Sequence, residues 1–321
     1  MKAIVQEGYG SPDVLHLREI DLPIVADDSV LVRVRAASVN AADCHLLRLP
    51  LPARLILGPR SPKAPVRGFD LSGQVEAVGG NVTRFKPGDE VFGRAPGTFA
   101  EYASARADRL APKPRRLTFG QAAAVPVAGI TALQGLRDHG QVLRGQHVLI
   151  YGVGGGVGTF AVQIAKALGA SVTAATSTRN VDLIRSIGPD EVIDYTEEDF
   201  TQRGQRYDVF FDIAANRSLR DCRRALAPNG RFVGAGAAKG SSMAVLTRLI
   251  ALFALSRFVS QRIVSFTAKV CYDDLVVLTE LIESEKVSPV IDREYSLSEV
   301  PDAMRYVAGG QARAKVVINV S

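Results

Sequence analysis

The residues of this chain with the clearest chemistry are the glycines Gly152, Gly154, Gly155, Gly156 and Gly158, and that chemistry is anion binding. Before them runs a mostly apolar stretch, His147 to Tyr151, of the length of a core strand in a parallel sheet. After them Ala161, Ile164, Ala165 and Leu168 fall at helical spacing on one face. A strand that stops in glycines and restarts as a helix leaves backbone N–H groups unpaired at the positive end of the helix dipole, which suits a pyrophosphate. Side chains bearing a Cβ would obstruct both the tight turn and the close approach of the phosphates. A glycine loop that binds nothing is the competing reading, and the flanking strand and helix, in the right order, argue against it.

The elements that must position this turn follow the same logic. A second strand, 171–175, ends in Thr176-Ser-Thr-Arg-Asn180. Folds specific for NAD place an acidic residue near that point to bond the ribose 2′-hydroxyl, and this strand has none. Ser177, Thr178 and Arg179 offer hydroxyls and a guanidinium instead, which suits a 2′-phosphate. NADPH is therefore expected over NADH on two counts, an attraction gained and a repelling carboxylate lost. Strands at 192–195, 208–213 and 230–236 continue an alternating strand and helix series.

Residues 1 to about 120 read differently, as short strands at 3–6, 14–20, 29–38, 73–78, 90–92 and 97–102 separated by turn signals. The loop 49–65 holds five prolines and is either a rim beside a cleft or an ordinary surface loop. From Ala122 to Leu136 the chain is small and apolar at helical spacing. The tail reads as a helix at 272–286, a strand at 290–295, a helix at 297–306 with Ser296 as N-cap, and a strand at 315–320.

Composition narrows the function classes. The chain has 321 residues, 47% of them hydrophobic, enough for two domains. Its net charge of +6 lacks a basic stripe with interleaved aromatics, so no nucleic-acid partner is expected. Cys44, Cys222 and Cys271 are widely separated, which argues against a disulfide framework or a zinc knot. The first residues enter a strand without a signal-peptide core, so a cytoplasmic protein is expected. The segment 243–260 is strongly apolar but is interrupted by Arg248 and Arg257, so stable membrane insertion is not expected. A lid over a substrate cleft or a dimer contact is favoured for it, with a membrane-surface anchor as the third reading.

The spacing Gly152-x-x-Gly155-x-x-Gly158, with Val157 where the common fingerprint continues, resembles that of zinc-independent quinone oxidoreductases of the medium-chain dehydrogenase/reductase superfamily. Further clusters carry the same resemblance: Ser38-Val-Asn-Ala-Ala-Asp43, Gly68-Phe-Asp-Leu-Ser-Gly73, the run Gly79 to Gly93 with its Lys86-Pro87-Gly88-Asp89 turn, Gly97-Thr-Phe-Ala-Glu-Tyr102, and the C-terminal Gly310 to Ile318. The resemblance implies an α/β protein: a GroES-like, β-rich substrate domain at 1–121 completed by 288–321, and a Rossmann doubly wound parallel-sheet domain at 122–287 that binds NADPH. It implies that Asn40 contacts nicotinamide or substrate at the cleft, and that Thr131 sits by the carboxamide unless it only bonds its own backbone. It also implies that Tyr195 contacts the 2′-phosphate, that Gly234, Ala235 and Gly236 flank the nicotinamide, and that Lys315 or Arg313 reaches the cofactor phosphates. His45 falls where relatives often carry Tyr, and either donates a proton or is a surface residue.

The departures bear on the chemistry. Zinc-dependent relatives carry Gly-His-Glu where this chain has Gly68-Phe69-Asp70, and a phenyl ring cannot bind a metal. Cys44-His45 on a strand-like stretch would point apart, and a catalytic zinc needs about three protein ligands. Without a Lewis acid the oxidation of a simple alcohol is disfavoured, while an electron-poor quinone or α,β-unsaturated carbonyl needs less help. The resemblance thus implies a zinc-independent, NADPH-dependent quinone oxidoreductase, a homodimer by expectation. An enoyl or enone (2-alkenal) reductase is the alternative among enzymes, and a non-catalytic NADPH-binding protein docking through 243–260 the alternative outside them.

Overall fold

The computed structural model describes residues 1–49, 54, 61–62, 64–235 and 260–320. The chain divides into two units. Residues 1–128, 270–283 and 289–321 form the first, and residues 129–269 and 284–288 the second.

In the first unit β1 (Lys2–Gln6) and β2 (Leu15–Glu19) form an antiparallel pair, and β3 (Ser29–Val39) is the axis of a separate larger sheet. Strand β3 alternates apolar residues, with Val30, Val32 and Val34 buried, and it pairs antiparallel with β4 (Asp70–Val78), β6 (Tyr102–Arg106) and the C-terminal β15 (Lys315–Asn319). Beyond β4 lie β5 (Glu90–Arg94) and β7 (Leu110–Pro112), and beyond β15 lies β14 (Ile291–Ser296). The expected strand at 97–102 is a loop with one bridge, Ala3 to Ala100, and the strand itself starts at Tyr102.

Two registers of β3 decide where the polar side chains of this unit meet. Ser38 stands opposite Asp70 of β4, and Val39 opposite Val316 of β15, so the next pair along that ladder is Asn40 and Lys315. Side chains at Ser38 and Asn40 lie on the same face because a strand repeats every two residues. Helix α1 (Ala41–Leu47) starts there, with Asn40 as its N-cap in an extended conformation. Cys44 and His45 therefore sit on a helix rather than on the strand-like stretch expected.

Helix α2 (Phe119–Ala123) opens with a reciprocal cap: Thr118 Oγ1 accepts from the Gln121 N–H, and Gln121 Oε1 accepts from the Thr118 N–H. Its Ala123, and Ala124 after it, pack on Ala36 and Val317, which holds the alanine run against the first sheet. The division between the units then falls within α3 (Pro126–Gln134), later than the expected boundary at 121.

The second unit is a six-stranded parallel sheet in the order β10-β9-β8-β11-β12-β13. Its strands are β8 (His147–Tyr151), β9 (Ser171–Thr176), β10 (Glu191–Asp194), β11 (Tyr207–Asp212), β12 (Leu226–Gly234) and β13 (Arg262–Ser265), with helices α4 (Gly156–Ala167), α5 (Val181–Ser186) and α6 (Leu219–Arg224) between them. The direction of winding reverses between β8 and β11, and ligands of such sheets bind outside the carboxyl ends at that switch.

Helix α7 (Tyr272–Glu283), expected in the cofactor domain, belongs to the first unit. Glu283 accepts from the Arg115 N–H at 2.6 Å, and the Arg84 guanidinium lies 3.8 Å from the centre of the Tyr272 ring. Helix α8 (Val300–Ala308) then buries Val300, Ala303 and Met304 in the first core. Among the described residues no helix is long and apolar enough to cross a membrane. The segment 243–259 and Gly236 lie outside the described residues.

Candidate functional site

The glycine turn joins β8 to α4. Gly152 has φ +89°, and a Cβ on it would lie 2.7 Å from the Ala214 Cβ beyond the end of β11. A Cβ at Gly158 would lie 2.3 Å from the Val153 Cα, and one at Gly154 2.2 Å from Asn180 Nδ2. Protein thus presses on the turn at three points. Gly155, the N-cap of α4, is different: nothing lies within 4 Å of where its Cβ would be. Helix α4 buries Phe160, Ala161, Ile164 and Ala165, which aims its first N–H groups at the carboxyl edge of the sheet. A cradle that a Cβ would fill, at a helix N-terminus and a switch point, fits a dinucleotide pyrophosphate.

Several of the other residues expected around the cofactor lie at the carboxyl ends of β9, β10 and β12. Ser177, Thr178 and Arg179 follow β9, and the Tyr195 N–H donates to the Thr176 carbonyl at 2.9 Å, which brings Tyr195 beside them. Its ring packs 5.2 Å from that of the buried Tyr151. The Ala235 N–H, one residue beyond Gly234, donates to the Asp212 carbonyl at 3.0 Å. Thr131 is half-buried on α3.

Two carboxylates at this edge escaped the sequence reading. Asp212 is fully buried at the end of β11, and its Oδ1 accepts from the Ala215 N–H at 2.8 Å, which holds the loop that packs on Gly152. The signal for it was an acid closing an apolar Val-Phe-Phe strand. Asp194 closes β10 and stands level with Thr176 in the ladder. Strand β9 ends without an acid, as expected, and the ladder brings the Asp194 carboxylate beside it from the neighbouring strand.

In the first unit the β3 registers bring four polar side chains into the core. Asp70 is fully buried. Its Oδ2 accepts from Ser38 Oγ at 2.9 Å, from Asn40 Nδ2 at 2.9 Å and from Lys315 Nζ at 3.4 Å, and its Oδ1 accepts from the Val127 N–H at 3.1 Å. Lys315 Nζ also donates to Asn40 Oδ1 at 2.8 Å. Lys315 is only 3% exposed, so its expected reach to the cofactor phosphates is corrected: the ammonium is taken up by Asp70 and Asn40. The same contacts orient Asn40, whose carbonyl faces an ammonium and whose amino group faces a carboxylate. Asp43, also fully buried, accepts from the Asn40 N–H at 2.8 Å, while its Oδ1 has no partner. Burial, with Asp70 adding to it, pushes its carboxyl up to about 7.

A zinc centre does not fit these residues. Cys44 is buried with its sulfur 3.7 Å from the Met304 carbonyl and 3.9 Å from the Met304 sulfur. Burial pushes its thiol up to about 12, far from the thiolate a metal needs. His45 is exposed, Phe69 lies under the Arg94 guanidinium, and among the described residues no three His, Cys, Asp or Glu side chains are placed to hold a metal.

Comparison with known proteins agrees with both halves. Residues 26–115 match the alcohol dehydrogenase GroES-like domain, and residues 187–318 match the zinc-binding dehydrogenase family. The 2-methylene-furan-3-one reductase of Solanum lycopersicum is 35% identical over 99% of this chain and 79% of its own. The chloroplastic NADPH-dependent alkenal/one oxidoreductase of Arabidopsis thaliana is 34% identical over the same shares, 99% and 79%. Among solved structures, the quinone oxidoreductase from Coxiella burnetii superposes with a TM-score of 0.87 at 30% identity, covering 100% of this chain and 99% of that one.

Proposed function

The chain belongs to the medium-chain dehydrogenase/reductase superfamily, in its quinone oxidoreductase-like group, and from that premise we propose that it reduces a quinone or an α,β-unsaturated carbonyl with NADPH and without zinc. The observation that carries the reading is the glycine cradle, closed by Ala214, Asn180 and Val153 and open at Gly155. Gly152, Gly155, Gly156, Val157 and Gly158 hold the pyrophosphate. Ser177, Arg179 and Tyr195 face the adenosine ribose, and Gly234, Ala235 and Thr131 the nicotinamide.

When bound, NADPH supplies a hydride that reduces the conjugated acceptor. Negative charge then develops on the acceptor's oxygen. Lys315 and Asp70 hold the Asn40 amide so that it offers an N–H rather than a carbonyl, and an N–H already fixed in place stabilises such an oxyanion without reorganisation. His45, exposed on α1, is the candidate proton donor, with water as its competitor. The donor set leaves no Lewis acid for simple alcohols, which selects electron-poor acceptors. Within that class an enone or 2-alkenal reductase is the close alternative to a quinone reductase. A homodimer is the assembly proposed for the enzyme.

The test is the initial rate of NADPH oxidation with an ortho-quinone and with an acyclic enone. Turnover of either supports the reading, and the faster acceptor separates the two alternatives. Tight NADPH binding with no consumption by any acceptor in a broad panel contradicts it.

A further inference from the structure

Resting on the NADPH reading, we propose that Asp194 sets the cofactor preference of this chain: its carboxylate takes up hydrogen-bond donors at the tip of β9 that a ribose 2′-phosphate would use, leaving a rim that accepts NADH beside NADPH. The argument is a count of hydrogens. Thr196 donates both its N–H, at 2.9 Å, and its hydroxyl, at 2.6 Å, to Asp194 Oδ1. A threonine hydroxyl carries one hydrogen, so the Thr196 oxygen has only lone pairs left. The Thr178 oxygen lies 2.7 Å from it, and Thr178 must therefore be the donor in that pair. Its single hydrogen is then used.

What Thr178 still shows is an acceptor. An acceptor suits a ribose 2′-hydroxyl, which has a hydrogen to give, and offers nothing to a phosphate, which has none. Asp194 is also a fixed negative charge there. The Thr196 hydroxyl foremost, with the backbone N–H groups of Thr196 and Thr178, holds its carboxyl below the usual carboxylate range. Such a charge repels a phosphate dianion. Ser177 works the other way: its oxygen accepts from Asn180 Nδ2 at 3.2 Å, so its own hydrogen is not used in that contact and suits a phosphate. One residue of the Ser177-Thr178 pair thus favours each cofactor, the Arg179 guanidinium favours the phosphate, and the Asp194 charge opposes it.

The experiment titrates NADPH, NADH, 2′,5′-ADP and 5′-AMP into wild type, Asp194→Asn and Thr178→Val by calorimetry, so no turnover is needed. Asparagine keeps an acceptor for Thr196 and removes the charge. The proposal expects Asp194→Asn to tighten NADPH and 2′,5′-ADP about tenfold, with NADH and 5′-AMP within about twofold of wild type. It expects Thr178→Val to weaken NADH more than NADPH. An Asp194→Asn protein whose NADPH to NADH ratio is unchanged or lower overturns the proposal. Should that variant not fold, Thr178→Val decides alone: a larger loss for NADPH shows Thr178 donating to the phosphate and overturns it. A wild type that binds none of the four ligands overturns the cofactor reading, and this one with it.

Discussion

Replacing Lys315 by Met removes the ammonium from beside a carboxylate that water does not reach. Asp70 is fully buried, and with Lys315 gone it keeps three donors: Ser38 Oγ, Asn40 Nδ2 and the Val127 N–H. Breaking a buried pair by removing one partner costs about 3 to 5 kcal/mol, because the remaining charge is uncompensated. The three surviving bonds put this site near the lower end, about 3 kcal/mol. Replacing both partners, as Asp70→Asn with Lys315→Met, removes both charges and restores most of that loss, so the two changes are strongly non-additive. Global unfolding of a two-unit chain is a poor ruler, so the assay is native-state hydrogen exchange at the β15 amides Val316 to Ile318, which pair with β3. The single variant should lose about 3 kcal/mol of protection there and the double variant about 1. A loss under about 1 kcal/mol in the single variant, or a double variant worse than the single, would refute the buried ion pair as the clamp between the C-terminal strand and β3.

Other consequences follow from the same geometry. Asp43, raised to about 7 from 3.8 chiefly by burial, binds a proton in the folded chain that it has already lost in the unfolded chain, so its contribution to stability falls as pH rises between those values. Asp43→Asn should flatten that part of the pH dependence of melting, and an unchanged profile would show that the carboxyl is not held protonated. Gly158→Ala drives a Cβ into the Val153 backbone and should weaken NADPH binding about tenfold or more, whereas Gly155→Ala meets no protein atom and should leave the unliganded fold intact. Equal melting losses in the two variants would contradict this. Cys44, its thiol pushed up by burial, should resist alkylation in the native protein while the half-buried Cys271 reacts first, as read by peptide mass spectrometry; early labelling of Cys44 would contradict its burial against Met304.

The glycine turn and the parallel sheet were legible in the sequence because each element there is contiguous, and a strand, turn and helix carry their periodicity within about twenty residues. The Asp70 to Lys315 pair was not. Its members are 245 positions apart and meet only because β15 runs antiparallel to β3 in one register, which no local pattern states. Lys315 accordingly read as a cation for phosphates. Asp194 escaped for a related reason: the acid of NAD-specific folds closes the second strand itself, while the charge here comes across the ladder from β10. Helix α7 misled through continuity, since it follows the cofactor strands in sequence but contacts Arg115 and Arg84 of the first unit. Cys44 and His45 read as strand because β3 is long and apolar, and the helix start rests on Asn40 and the Asp43 carboxylate that accepts its N–H.

The most direct test of the central claim is transfer of deuterium from nicotinamide-deuterated NADPH to an enone by chelator-treated protein in ordinary water. With both C4 hydrogens of the nicotinamide replaced by deuterium, the account predicts one deuterium at the β-carbon of the saturated product, whichever face is used, and full activity after chelation. Product with no deuterium, or activity that vanishes with the chelator and returns with zinc, would contradict it.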